Sequence, residues 1–204
     1  MEIIIIGSGG HAKVVKTLVE LIGYKVVAVC DPDDKNKNLP IWNGIKFYKK
    51  ESDLSIYDKD KVFAANGIGH MPHKLFSRKN AYNLLHEMGY VFPKLIHPKA
   101  WVSKYTNIEE GVQIMAGAII QTGTKIGKNT IINTSASIDH DCNIGKNVHL
   151  APGAVLCGDV NVGDNTFIGS GSNIIQSITV EKESFIKAGT TVVKDFKNNN
   201  MKLI

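Results

Sequence analysis

The 204-residue sequence predicts a small α/β domain over residues 1–94 followed by a parallel β-helix over residues 95–204. Two observations carry this division. A glycine-rich turn joins an apolar strand to a helix near the amino terminus, and an aliphatic residue returns at every sixth position through the second half. Composition adds a third. Apolar residues at 43% suffice for a core, and three cysteines, Cys30, Cys142 and Cys157, are an odd number without the spacing of a disulfide framework.

The amino-terminal domain reads as alternating strand and helix. A strand over Glu2–Ile6 leads through a glycine turn to a helix from Ala12 to Ile22, and a second strand, Val26–Cys30, ends on Asp31. Beyond it come a strand over Val62–Ala65, a loop Asn66-Gly67-Ile68-Gly69, a helix through Leu84 and Leu85, and a closing strand from Val91. The turn Gly7-Ser8-Gly9-Gly10-His11-Ala12 matches G-x-G-x-x-A between a strand and a helix, and Asp31 is the acidic residue that follows such a turn. Its chemistry is anion binding. A backbone without side chains approaches a phosphate, and the helix terminus offers unpaired N–H groups and a positive dipole. A Rossmann-like unit of this size holds one mononucleotide-binding half, so a nucleotide-sugar fits better than a nicotinamide dinucleotide. The plainer alternative is a glycine turn that only eases packing.

The second half is set by its period. Stepping by six from Ile96 through Ile114, Ile132, Leu150 and Ile168 to Val192, all seventeen positions are aliphatic and no insertion shifts the register. Neither a helix of period 3.6 nor a strand of period 2 explains this pattern. Four residues after each aliphatic position stands a mostly small residue, as at Ala118, Thr130, Ala136, Cys142 and Ala154, which keeps the interior narrow. Glycine or polar residues occupy the turns, as in Ile126-Gly127-Lys128-Asn129 and Ile144-Gly145-Lys146-Asn147. Three hexads make one triangular coil, and residues eighteen apart stack at the strand spacing of about 4.8 Å.

A net charge of +5 raises the question of nucleic acid, but the lysines are scattered and no basic block is interleaved with aromatics. A solvated lysine-rich surface, or small polyanionic ligands, suits this balance. The apolar run Ile3–Ile6 is far too short to span a membrane and no signal peptide precedes it, so membrane insertion is not expected and a reducing cytoplasm fits best.

Three blocks carry a resemblance that covers nearly the whole chain: Gly7-Ser8-Gly9-Gly10-His11, the run from Asn133 through Ser137-Ile138-Asp139-His140-Asp141-Cys142 to Gly145, and His149-Leu150-Ala151-Pro152-Gly153-Ala154. The pattern is similar to the hexapeptide-repeat acyltransferases, and within them to the PglD/NeuD-like bacterial sugar acetyltransferases, which include UDP-4-amino-sugar N-acetyltransferases and sialic acid O-acetyltransferases. The resemblance implies a left-handed coil. It implies acetyl-CoA as co-substrate, a nucleotide-sugar as acceptor and no metal. His140 is expected as general base with Asp141 tuning it, and Gly158, stacked eighteen residues beyond His140, as oxyanion donor. His149, Gly158, Ser170, Ala188 and Gly189 are expected along the coenzyme; Gly7, Ser8, Gly9, Gly10, His11, Asp31, Asn66, Gly67 and Asn133 are expected around the acceptor.

Adjacent residues on a straight strand point to opposite faces, so His140 and Asp141 require a bend to meet. His149 lies half a coil from His140 and faces another side of the prism. If both serve one site, that site lies between subunits, and a homotrimer is expected. The chain departs from the family at its end, where Lys194 to Ile204 replaces the usual G-x-P-A-K/R turn, leaving Lys194 or Lys197 to meet the adenosine. A metal reading of His140-Asp141-Cys142 is set aside, because Cys142 is an inward position and consecutive residues rarely chelate one ion. His70, His73, His86 and His97 have no ligand spacing. Three readings stay open: N-acetylation of a nucleotide-linked 4-amino-sugar, O-acetylation of a sialic-acid-type sugar, and a nucleotide-binding scaffold without activity.

Overall fold

The computed structural model describes residues 1–69 and 76–197. They fall into two compact units, Met1–Gly69 with Phe76–Pro93, and a second that begins at Lys94. His70, His73 and the segment 198–204 lie outside the described residues.

The first unit is a four-stranded parallel sheet made of β1 (Glu2–Ile6), β2 (Lys25–Cys30), β3 (Lys46–Tyr48) and β4 (Val62–Asn66), in the order β3-β2-β1-β4. Among the described residues its α-helices are α1 (Gly10–Leu21) and α2 (Ser77–Glu87). Consecutive residues Ile3 to Ile6 are all buried, as a central strand covered on both faces requires. Helix α1 buries Ala12, Val15, Leu18 and Val19, one stripe at helical spacing. It ends where Gly23 takes a φ of +90°, so that Tyr24 N–H reaches back to Val19 O at 2.9 Å.

Three elements differ from the expectation. Helix α1 starts at Gly10 rather than Ala12, because extended Gly9 already accepts the first helical bond from Lys13 N–H. Strand β3 was not expected; it is a three-residue edge with no alternating pattern long enough to read. The closing strand from Val91 does not form. Val91 O accepts one bond from Ala64 N–H, and Pro93 has no N–H with which to extend a ladder.

In the second unit, seventeen two-residue strands among the described residues run from Leu95–Ile96 to Thr191–Val192 and stack as three parallel sheets of six, six and five strands. The first face begins at Leu95–Ile96, the second at Trp101–Val102 and the third at Asn107–Ile108. Register advances by one coil throughout, as in Ser137 opposite Val155 and Ile131 opposite His149. Ile114, Ile120, Ile132, Ile138, Leu150 and Ile168 are fully buried together with Ala118, Ala136 and Ala154. Where the small inward residue is polar, its hydroxyl bonds a carbonyl of the coil wall, as Thr124 does to Asp139 O at 3.0 Å and Thr130 to Gly145 O at 2.9 Å.

The corners refine the turn chemistry. From Ile108 to Ile186 the residue in the left-handed region is the third after the aliphatic, as at Gly123, Asn129, Asp141, Gly153, Asp159 and Gly189. The glycines one residue after the aliphatic serve close stacking instead. A Cβ on Gly127 would stand 2.7 Å from Gly145 C, and one on Gly145 2.7 Å from Asp164 N. The left-handed asparagines form a ladder, with Asn129 Nδ2 donating to Asn147 Oδ1 at 2.8 Å and Asn147 Nδ2 to Asn165 Oδ1 at 3.3 Å.

Candidate active site

The first unit gathers its expected anion-binding residues at one edge of the sheet. Ile6 pairs with both Cys30 and Asn66, so the chain leaves β1, β2 and β4 at the same level, at Gly7, Asp31 and Gly67. This is where the strand order reverses, the usual ligand crevice of an open α/β sheet. Gly7 has a φ of +89°, and its N–H donates to Cys30 O at 2.7 Å. Gly9 and Gly10 open helix α1, and a Cβ on either would meet nothing within 4 Å. His11, partly exposed, follows in the first helical turn and packs beside Gly69.

The polar side chains of this edge hold the turns in shape. Ser8 N–H and Oγ–H both donate to Asp31 Oδ2 at 2.7 Å, and Asp33 N–H donates to Asp31 Oδ1 at 2.9 Å. Buried Asn66 donates to Arg78 O at 2.8 Å and accepts from Ile68 N–H at 3.1 Å. Gly67 is pinned against helix α1, where a Cβ would stand 2.7 Å from that of Ala12. Arg78 was not singled out in the sequence. Its buried guanidinium donates to Asn66 O at 3.0 Å and Ile68 O at 2.7 Å, and burial pushes its pKa down to about 9. No motif signals it, because an arginine on a helix reads as solvated until its burial is known.

In the second unit the expected residues lie on the two corners that flank the second face and, for His149, on the first face. His140, Asp141 and Gly158 occupy the corner that leads to the third face. Asp141 has a φ of +59°, and this bend lets neighbouring side chains meet. His140 Nδ1 and Asp141 Oδ2 are 2.9 Å apart. A carboxylate only accepts, so the ring carries its proton on Nδ1 and leaves the Nε2 lone pair free. The Asp141 hydrogen bond raises the His140 pKa above its ordinary value near 6.5, with Asp139 and Asp159 adding to the effect and desolvation opposing it.

Stacking completes this corner. A Cβ on Gly158 would stand 2.6 Å from both Cε1 and Nε2 of His140, so the imidazole lies over the glycine. Asp141 lies likewise over Gly123, one coil in the other direction. Gly123 and Asp159 were not picked out from the sequence, although both stand eighteen residues from Asp141 and the coil length points to them.

The other corner joins the first face to the second. His149 is buried on the first face, its ring edge-on to Phe167 at 5.2 Å, and Phe167 stacks on Phe185 at 5.1 Å. Asn133 Nδ2 lies 3.0 Å from His149 Nε2. Further along this corner Ser170, Ala188 and Gly189 are exposed, and Gly189 N–H donates to Ser170 O at 2.8 Å. Thr190 to Lys197, including Lys194 and Lys197, line a shallow depression at the end of the described coil. The histidine pair His140 and His149 is therefore not brought together within one chain.

Cys142 is buried and donates its S–H to Cys157 O at 3.1 Å, with burial pushing its pKa up to about 11. His97 accepts from Lys99 N–H, and His86 stacks on Tyr82. Among the described residues no group of three or more His, Cys, Asp or Glu side chains is arranged to hold a metal ion, and no helix is long and apolar enough to cross a membrane.

Residues 2–78 match the PglD N-terminal domain, residues 105–136 and 123–158 match the bacterial transferase hexapeptide (six repeats), and residues 159–194 match the hexapeptide repeat of succinyl-transferase. Among solved structures, the acetyltransferase domain of PglB from Neisseria gonorrhoeae FA1090 is 30% identical with a TM-score of 0.86, over 97% of this chain and 93% of that one. The same domain is known in complex with acetyl coenzyme A. A histidine mutant of perosamine N-acetyltransferase from Caulobacter crescentus, in complex with CoA and GDP-perosamine, is 32% identical with a TM-score of 0.87, over 96% and 90% of the two chains. WeeI from Acinetobacter baumannii AYE, at 23% identity and a TM-score of 0.72, shares the fold.

Proposed function

Because the chain belongs to the hexapeptide-repeat sugar acetyltransferases that carry a PglD-type N-terminal domain, we propose that it transfers the acetyl group of acetyl-CoA to the amine of a nucleotide-linked 4-amino-sugar. Membership makes it an acyltransferase with a left-handed β-helix. The observation that carries the finer reading is the His140–Asp141 pair at 2.9 Å with the imidazole seated over Gly158.

In the proposed mechanism the free Nε2 of His140 takes the proton of the acceptor amine as its nitrogen attacks the thioester carbon. The new C–N bond leaves negative charge on the carbonyl oxygen, which the Gly158 N–H stabilises. Collapse expels the thiolate of CoA, and the proton held on His140 is returned to it. A positioned base contributes about 10²–10⁴-fold and an oxyanion donor about 10²–10³-fold, so the two together account for a substantial part of the rate. Asp141 favours the imidazolium formed in between. The amino-terminal turns, with open space at Gly9 and Gly10 beside the start of helix α1, suit the diphosphate of the acceptor.

A homotrimer is part of the same proposal. His140 stands on the corner after the second face and His149 on the first face, and the second face between them exposes Trp101 and Ile119 at 53% and 42%. Burying that face against a second copy would bring one chain's His140 corner beside another's first face, which carries His149. Three free cysteines suit a reducing cytoplasm, where nucleotide-linked sugars for surface glycans are built.

The test is an acceptor panel. With acetyl-CoA supplied, UDP- and GDP-linked 4-amino-sugars should be acetylated at nitrogen, with CoA release followed by a thiol reagent. Acetylation confined to free or CMP-linked sialic acid would overturn the amine reading, and no turnover with any sugar would favour a scaffold.

A further inference from the structure

Asn133 makes two contacts that together determine the protonation of His149. Its Oδ1 accepts the Thr134 backbone N–H at 2.8 Å and the Thr134 hydroxyl at 3.4 Å. A backbone N–H can only donate, so these bonds identify the oxygen of the amide. The other end, Nδ2, then faces His149 Nε2 at 3.0 Å. An amide nitrogen also only donates, so Nε2 must be the acceptor and carries no proton. An imidazolium, or the tautomer protonated at Nε2, would set two donors against each other in a site where the ring is 8% exposed. Phe167 presses edge-on against the same ring at 5.2 Å and holds its plane.

We propose that Asn133 is a positioning residue that locks His149 as the neutral tautomer with its proton on Nδ1. His149 is then held as a neutral ring and is not a second base. The contrast with His140 is chemical. There Asp141 accepts from Nδ1 and leaves Nε2 to take a proton; here Asn133 donates to Nε2 and occupies its lone pair. One ring is built to gain a proton during turnover and the other to keep the one it has. The role of His149 toward the acyl donor rests on the acetyltransferase reading, whereas the tautomer does not.

Long-range ¹⁵N–¹H correlation on ¹⁵N-histidine-labelled protein without ligands tests the lock, with the His149 signals assigned by their loss in His149→Gln. The expected spectrum at neutral pH has a protonated Nδ1 and an unprotonated Nε2. Asn133→Asp replaces the donor with a carboxylate and should move the proton to Nε2, while raising the KM for acetyl-CoA about tenfold with a smaller change in kcat, as expected for one reversed hydrogen bond. Should that variant not fold, Asn133→Leu removes the donor without adding charge, and the two tautomers should then mix. A protonated Nε2 in the native protein, or spectra unchanged in the variant that folds, would overturn the proposal. Because the spectra need no substrate, an inactive acceptor panel would leave this result standing.

Discussion

The amino-terminal turn and the His140 corner both depend on glycine, for opposite reasons. At Gly9 and Gly10 an added Cβ would meet empty space, so no contact within the first unit requires glycine there. At Gly158 and Gly123 the space is already taken by His140 and Asp141, so the absence of side chains serves the chain's own reactive groups. In the proposed function the first arrangement receives a ligand and the second seats a base. Substitutions at the two places should therefore fail differently.

The largest effect is expected at the base itself. His140→Ala should lower kcat at least a hundredfold with little change in melting temperature, because the side chain is exposed at the corner. Steady-state kinetics beside a thermal melt check this, and an unchanged rate would remove the assigned role. Next comes Gly158→Ala, whose Cβ would displace the imidazole. A loss of about 10²-fold in kcat, with the KM values held within a few-fold, would match a displaced base and a carbonyl kept from the Gly158 N–H by the new methyl group.

Asp141→Asn should cost less rate but change its pH dependence. Folded His140 has a raised pKa, and catalysis needs the unprotonated ring, so kcat/KM should rise with pH through a midpoint above 6.5. Removing Asp141 takes away the first cause of that shift, so the midpoint should move to lower pH even as the plateau falls about tenfold. A midpoint that stays in place would mean another group governs the limb. The smallest effect is expected from Gly9→Ala or Gly10→Ala. Both fill open space, so stability should change by less than about 1 kcal/mol, while the KM for the nucleotide-sugar rises several-fold and that for acetyl-CoA does not. A loss of stability without a KM effect would return this turn to a packing role.

Legibility followed the same division. The six-residue period alone led to coil length, register and inward residues, because each hexad repeats the same packing problem and tolerates no slip. Coil length also points to Gly158, and equally to Gly123 and Asp159, which stand eighteen residues from Asp141. The α/β unit was read less well. Strand β3 and the missing strand after Val91 depend on a few edge hydrogen bonds that no local pattern encodes. Arg78 was invisible because its partners are carbonyls, which every residue has.

What the sequence determined by itself was the architecture and the neighbourhood of His140, since both follow from period and chain direction. What only the tertiary structure decided was proton placement and packing sense. The left-handed bend at Asp141 puts its carboxylate on Nδ1 of His140, and the Thr134 N–H turns the Asn133 amide so that it donates to His149. Hydrogen-bond polarity depends on which atom faces which, and that is settled by backbone angles and side-chain rotation at individual corners rather than by the order of residue types.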